Sequence, residues 1–158
     1  MKKKIEINFF CNSKKWNRRS TKLKNLTIKT IKIMKKYFNV NSKYFLNIIL
    51  TDKKQVKELN KKYKQNNKDT DVLTFISTKK FKQLNKEIYC DVYFSINTIE
   101  KDIKKNNINF YEHFNHLIIH SFLHINGYSH QTLFHYNKMK KLEIMIMNKL
   151  GFEDPYLK

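Results

Sequence analysis

Alanine is absent from the 158-residue chain, proline occurs once, glycine and cysteine twice each, and 13 acidic residues face 33 basic ones. With so little proline and glycine, no flexible linker divides the sequence. Two cysteines, Cys11 and Cys90, are too few for a disulfide-stapled secreted module. No run of about 18 uncharged apolar residues occurs, which excludes a transmembrane helix. The opening Met1-Lys-Lys-Lys-Ile-Glu-Ile turns polar too soon for a signal peptide, so a cytoplasmic protein is expected. What is present fits that expectation. Apolar residues make up 41% of the chain, enough for a real core, and the length fits a single domain over residues 1–158.

The formal net charge is +20, and all but two of the basic residues are lysine. Such a field attracts polyanions and repels cations. Lysine, asparagine and isoleucine are abundant, while residues needing G- or C-rich codons are scarce. Mutational bias in an A/T-rich genome would produce the same lysines. They are scattered along the chain, so charge alone does not decide between nucleic-acid binding and a basic solvated surface.

No internal repeat or compositional break is evident. Ile5 to Phe9 alternates as a short strand, and Tyr44 to Leu50 reads as a buried one. Lys22 to Phe38 carries Ile31, Met34 and Phe38 at helical spacing. Asp52 with Gln55 three residues on marks a second helix start, whose apolar face holds Val56, Leu59 and Tyr63. A polar loop, Gln65 to Lys68, precedes predicted strands at Asp71 to Ser77 and Ile88 to Ser95. Helices are predicted over Asn97 to Asn106, Phe110 to Ile125 and Gln131 to Leu150, with Gly151 as a stop and Pro155 beyond. The expected fold is α+β: a small mixed sheet packed by about five helices, one of them central and histidine-bearing.

All six histidines lie between His113 and His135, and the informative stretch is His120-Ser-Phe-Leu-His124-Ile-Asn-Gly127-Tyr-Ser-His130. On a helix His120 and His124 stand one turn apart on one face, so both imidazoles reach one ion. Gly127 falls where the chain must reverse in a left-handed conformation, returning His130 toward them. Three nitrogens with a fourth position open describe a catalytic rather than a structural zinc site. A buried histidine stripe could instead be a hydrogen-bonded network. His113, His116, His120 and His124 span only about 80° of helical arc. His113, His116 and His135 are read as ordinary polar, surface or supporting positions.

The spacing matches zinc peptidases reading His-Glu-x-x-His-x-x-Gly-x-x-His, whose glutamate is the general base. Here that position is Ser121, so peptide hydrolysis lacks its base. The stretch also resembles the signature of the YbeY family of bacterial endoribonucleases, His-Gly-x-Leu-His-Leu-x-Gly-Tyr-Asp-His. Leu59-Asn60-Lys-Lys-Tyr63-Lys64 and Thr70-Asp71-Val72-Leu73-Thr74-Phe75 are similar to that family's Leu-Asn-x-x-Tyr-Arg and Thr-Asp-Val-Leu-Ser-Phe. Tyr89-Cys90-Asp91-Val92, Met139-Lys-Lys-Leu-Glu143 and Gly151-Phe-Glu-Asp-Pro155-Tyr156 continue the resemblance to the C-terminus.

The resemblance implies a single-strand-specific, zinc-dependent endoribonuclease acting in late 16S rRNA 3′-end maturation and ribosome quality control. One Zn2+ would sit on His120, His124 and His130, with Lys64 as the catalytic cation. Ribosomal RNA and the small ribosomal subunit would be the partners, with no membrane and no small-molecule cofactor. Three positions depart from the pattern. Ser121 replaces a glycine and is expected to crowd the metal pocket. Ser129 replaces an aspartate and removes a carboxylate near His130. Lys64 replaces an arginine, keeping charge but not bidentate phosphate recognition. An rRNA- or ribosome-binding assembly factor with structural zinc is therefore the alternative reading.

Other positions are given structural roles. Thr70 and Asp71 read as turn chemistry, Asp91 as a hydrogen-bonded carboxylate and Glu143 as a salt-bridge or cap partner. Cys90 reads as a small core residue, and Tyr89 and Tyr93 as core aromatics. Trp16 is open between packing and base stacking.

Overall fold

Residues with alternating or β-branched character form four strands in a computed structural model that describes residues 5–37, 42–80 and 86–157. They are β1 (Ile5–Cys11), β2 (Lys43–Thr51), β3 (Val72–Lys80) and β4 (Lys86–Ser95). Their order across the sheet is β1-β2-β4-β3. β1, β2 and β4 run parallel, and β3 joins the β4 edge antiparallel. Parallel neighbours require crossovers, and helices supply them. α1 (Ser20–Met34) links β1 to β2, and α2 (Lys53–Lys64) leaves β2 toward β3. α3 (Ile96–Asn106), α4 (Phe110–Ile125) and α5 (Leu133–Lys149) follow. The α+β expectation holds, with five helices on a four-stranded mixed sheet. Phe38, the predicted end of the first helix, lies outside the described residues.

Period-two alternation gives the sheet two distinct faces. One face carries Leu46, Ile48, Leu50, Cys90, Val92 and Phe94, all buried in the main core. Cys90 is thus the core residue expected, and burial, then the nearby Asp91, pushes its thiol up to about 12. α4 packs there as the central helix, with ten of its 16 residues buried. Trp16 is fully buried, donates Nε1–H to the Thr51 carbonyl at 2.7 Å and meets Phe110 and Phe114 edge-on. Packing, not base stacking, settles its role.

The opposite face carries Asn8, Asn47 and Asp91 in one row, joined by hydrogen bonds of 3.2 and 2.7 Å. Tyr89 and Tyr93 stand on this face, half-buried, and not in the core as the sequence suggested. Strand membership alone does not say which face a helix covers; α1 and α4 cover the other one.

Helix ends follow their caps. Asp52 accepts from Gln55 N–H at 3.1 Å, the capping expected there. Asn109 accepts from Tyr111 and Glu112 N–H, and Thr132 accepts from His135 N–H, starting α5 two residues later than predicted.

Candidate metal centre and its cleft

α4 ends at Ile125, and Gly127 adopts φ +87°, the left-handed turn its spacing foretold. The turn closes with Gly127 N–H to the His124 carbonyl at 3.0 Å and Tyr128 N–H to the Leu123 carbonyl at 3.1 Å. It brings His130 back against the helix. Ring centroids of His130 lie 5.6 Å from His120 and 4.9 Å from His124. One nitrogen from each of the three histidines falls within 4.8 Å of the others.

Two partners fix the tautomers. The Tyr128 carbonyl can only accept, so His124 donates Nδ1–H to it at 2.9 Å. Glu143 accepts Nδ1–H of His120 at 2.7 Å. Each ring, when neutral, then carries its lone pair on Nε2, and the two Nε2 atoms face each other at 3.0 Å. At that distance the pair shares either a proton on one Nε2 or a metal ion between the two. Burial, then the neighbouring His120, holds the His124 pKa below the ordinary imidazole value. The donor set fits a metal ion: three imidazoles, two of them oriented from behind.

Glu143 is the residue whose importance the sequence underrated. Its side chain is 1% exposed, on α5. Besides His120 it accepts from His116 Nε2 at 3.1 Å and from the Tyr156 hydroxyl. Burial alone would raise its pKa, but the bonds from His116 and His120 outweigh this and bring it to about 2. The Tyr156 hydroxyl is raised in turn, by burial and then by this bond. Glu143 is a hydrogen-bond acceptor for two histidines and a tyrosine, and one of those histidines is His120 of the candidate metal site. Only folding brings together residues 23 and 27 positions apart in sequence, so no local pattern signals it.

The cluster opens into a cleft of about 680 Å3, which Lys64, Thr70, Asp71, Ile76 and His113 also line. Lys64 is exposed at the last turn of α2, where Gln65 in the left-handed conformation ends the helix. Asp71 and His113 face each other at 3.4 Å, and with Asp102 of α3 they bring three polar atoms within 4.8 Å. This group ties the start of β3 to α3 and α4. Burial would raise the Asp71 carboxyl, but the His113 side chain beside it leaves it lowered. Thr70 donates its hydroxyl to the Val72 carbonyl at 3.0 Å, the turn chemistry expected of it.

Ser121 does not face the histidines. It is buried toward the sheet, where a void of about 10 Å3 lies among Ile31, Leu46, Ile48, Val92 and Ile118. The expected crowding of the metal pocket is therefore corrected: one helical step of about 100° carries position 121 off the ligand face. Its hydroxyl has no hydrogen-bond partner among the described residues. Asp91 lies outside the histidine cleft, on the far face of the sheet.

Comparison with known proteins shows the family. The family described as "Endoribonuclease YbeY" matches residues 8–151. The chain belongs to the YbeY family. An endoribonuclease YbeY of Buchnera aphidicola subsp. Baizongia pistaciae is 33% identical over 157 residues, 99% of each chain. One from Ehrlichia chaffeensis is 30% identical over 155 residues, 97% of each. A solution structure from Thermotoga maritima shares the fold at TM-score 0.57 and 24% identity, covering 95% of this chain and 98% of that one. Within this YbeY chain the signature histidines, Lys64 and Glu143 all lie inside the matched span.

Proposed function

We propose that the protein is a zinc-dependent endoribonuclease that cuts single-stranded RNA, acting at the 3′ end of small-subunit (16S) rRNA during late ribosome maturation and quality control. The observation that carries this reading is the convergence of His120, His124 and His130 ring nitrogens, within 4.8 Å of one another, in a cleft that Lys64 also lines. Membership of a family named for endoribonuclease activity supplies the reaction class.

His120, His124 and His130 would hold the ion. Three imidazoles with an open fourth position suit zinc, and neither cysteine lines the cleft. When bound, the ion would act as a Lewis acid on a phosphoryl oxygen or activate a water. Glu143 and the Tyr128 carbonyl keep both Nε2 lone pairs pointed at it. Lys64 places a positive charge where negative charge grows on the phosphoryl oxygens. The +20 net charge adds salt-dependent, sequence-indifferent affinity for the phosphate backbone. The small ribosomal subunit would then supply the specificity, in the cytoplasm where it assembles.

The test uses zinc-loaded wild type and His124→Ala, both confirmed folded by circular dichroism. Each is incubated with an RNA spanning the 16S 3′ end, single-stranded and as a duplex. Wild type should cut the single strand alone, and His124→Ala should cut neither. If both proteins bind RNA and neither cuts, the assembly-factor reading replaces this one.

A further inference from the structure

The sheet face turned away from the histidines is not blank. A groove of about 310 Å3 runs across it, walled by Tyr63, Phe75, Tyr89 and Tyr93, with Asp91 among its lining. That volume is within the range of small-ligand sites. Its aromatics make ring contacts in two groups. Tyr63 meets Phe75 edge-on at 5.4 Å, Phe75 meets Tyr93 at 6.0 Å, and Tyr89 stacks on Phe45 at 4.7 Å. Lysines stand over the same rings: Lys43 at 4.3 Å from Phe45, Lys62 at 5.1 Å from Tyr63 and Lys64 at 6.0 Å from Phe75.

Two residues join this groove to the histidine cleft. Ile76, on the edge strand β3 and 48% exposed, lines both. Lys64 lines the cleft while its ammonium approaches a ring of the groove wall. A strand of nucleic acid leaving the cleft across the β3 edge would meet the aromatic groove next, with a cation at the crossing.

We infer that this groove is a base-stacking subsite for the same single-stranded RNA, and that it prefers bases carrying an exocyclic amino group. The inference rests on the endoribonuclease reading above. The charge arrangement decides how the RNA lies. An acidic group in the groove repels phosphates, so the backbone follows the lysines and the bases turn inward onto the rings. Asp91 is an acceptor when ionised. One oxygen takes the Asn47 amide at 2.7 Å, and a carboxylate has lone pairs for further donors. Cytosine and adenine offer such a donor from their amino groups, whereas uracil presents a carbonyl at the corresponding position. An apolar protein segment fits less well, because it would bury Asp91 without a partner for its remaining acceptors.

The test uses zinc-loaded full-length protein and nuclease-resistant 2′-O-methyl oligonucleotides of about ten residues, a usual single-strand site size. Oligocytidylate and oligouridylate stack similarly and differ in the amino group. Wild type should bind oligocytidylate about tenfold more tightly, as one hydrogen bond to a charged group allows. Asp91→Asn should reduce that preference toward parity. Tyr63→Ala, at a side chain already 58% exposed and so dispensable for folding, should weaken both oligonucleotides about tenfold. Its cleavage of a trinucleotide, too short to reach from the cleft into the groove, should be unchanged. If wild type binds and cuts RNA but neither substitution changes binding, the groove assignment is overturned and the cleavage reading stands. If wild type neither binds nor cuts RNA, both are overturned.

Discussion

Glu143→Gln is the perturbation that tests the tautomer argument most directly. The carboxylate is buried and accepts three hydrogen bonds, from His116, His120 and Tyr156. Glutamine keeps the shape but replaces one acceptor oxygen with an NH2 donor, so at least one of the three donors faces another donor. One charge-assisted bond is lost, and the remaining two become ordinary ones. At about 2 kcal/mol for the first and roughly 0.5–1 kcal/mol for each of the others, the folded state loses about 3 kcal/mol. For a chain of this size that lowers Tm by about 6–12 °C. Zinc affinity should fall further than that of a purely structural variant, by roughly 10–100-fold, because His120 no longer has its Nδ1 proton held by a carboxylate. Thermal unfolding of the metal-free protein gives the first quantity, and competition with a chelating dye at a temperature where the variant is folded gives the second. His116→Gln is the control, since it removes a donor to Glu143 and leaves the His120 bond in place. A folded Glu143→Gln that binds zinc within about twofold of wild type would refute the reasoning.

Ser121→Ala should stabilise the protein by about 1 kcal/mol, because it deletes a buried hydroxyl without a partner and improves helix propensity. Denaturant unfolding checks this, with zinc affinity unchanged because the position faces the sheet. Lys64→Ala should lower single-turnover cleavage by roughly 10²-fold or more, and Lys64→Arg should retain or exceed wild-type activity; equal rates for all three would remove Lys64 from the chemistry. The folded-state pKa of Asp71 is depressed, so its contribution to stability is present above its ordinary value of 3.8 and is lost as pH falls below it. Asp102, raised by burial and then by Asp71, works in the opposite sense. Wild type should therefore exceed Asp71→Asn in Tm near neutrality, and the gap should narrow below about pH 4; a gap independent of pH would show that the His113 contact carries no charge coupling.

Much of the fold was legible because its signals are local. Alternation marked the first strand, a run of β-forming residues marked the second, helical spacing marked the first and last helices, and Asp52 and Gly127 marked a start and a reversal through side-chain capping and a positive φ. Boundaries shifted by a few residues: the strand expected to begin at Asp71 and end at Ser77 runs from Val72 to Lys80, and the 3-10 turn Lys14–Trp16 went unforeseen. The histidine cluster was legible for the same reason, since three of its features lie within eleven consecutive residues.

What the sequence determined by itself was the set of elements, the His-x3-His pair and the turn that returns His130, because each depends on neighbours within about one or two turns of chain. Tertiary structure alone decided the rest. It placed β3 antiparallel at the sheet edge, turned Ser121 into the core and left Tyr89 and Tyr93 on the face opposite the main core. It also set Glu143 behind His120, the contact that orients the ring toward His124. Periodicity reports that a residue lies on a face, but which element packs against that face is set by long-range burial, and those partners are remote in sequence.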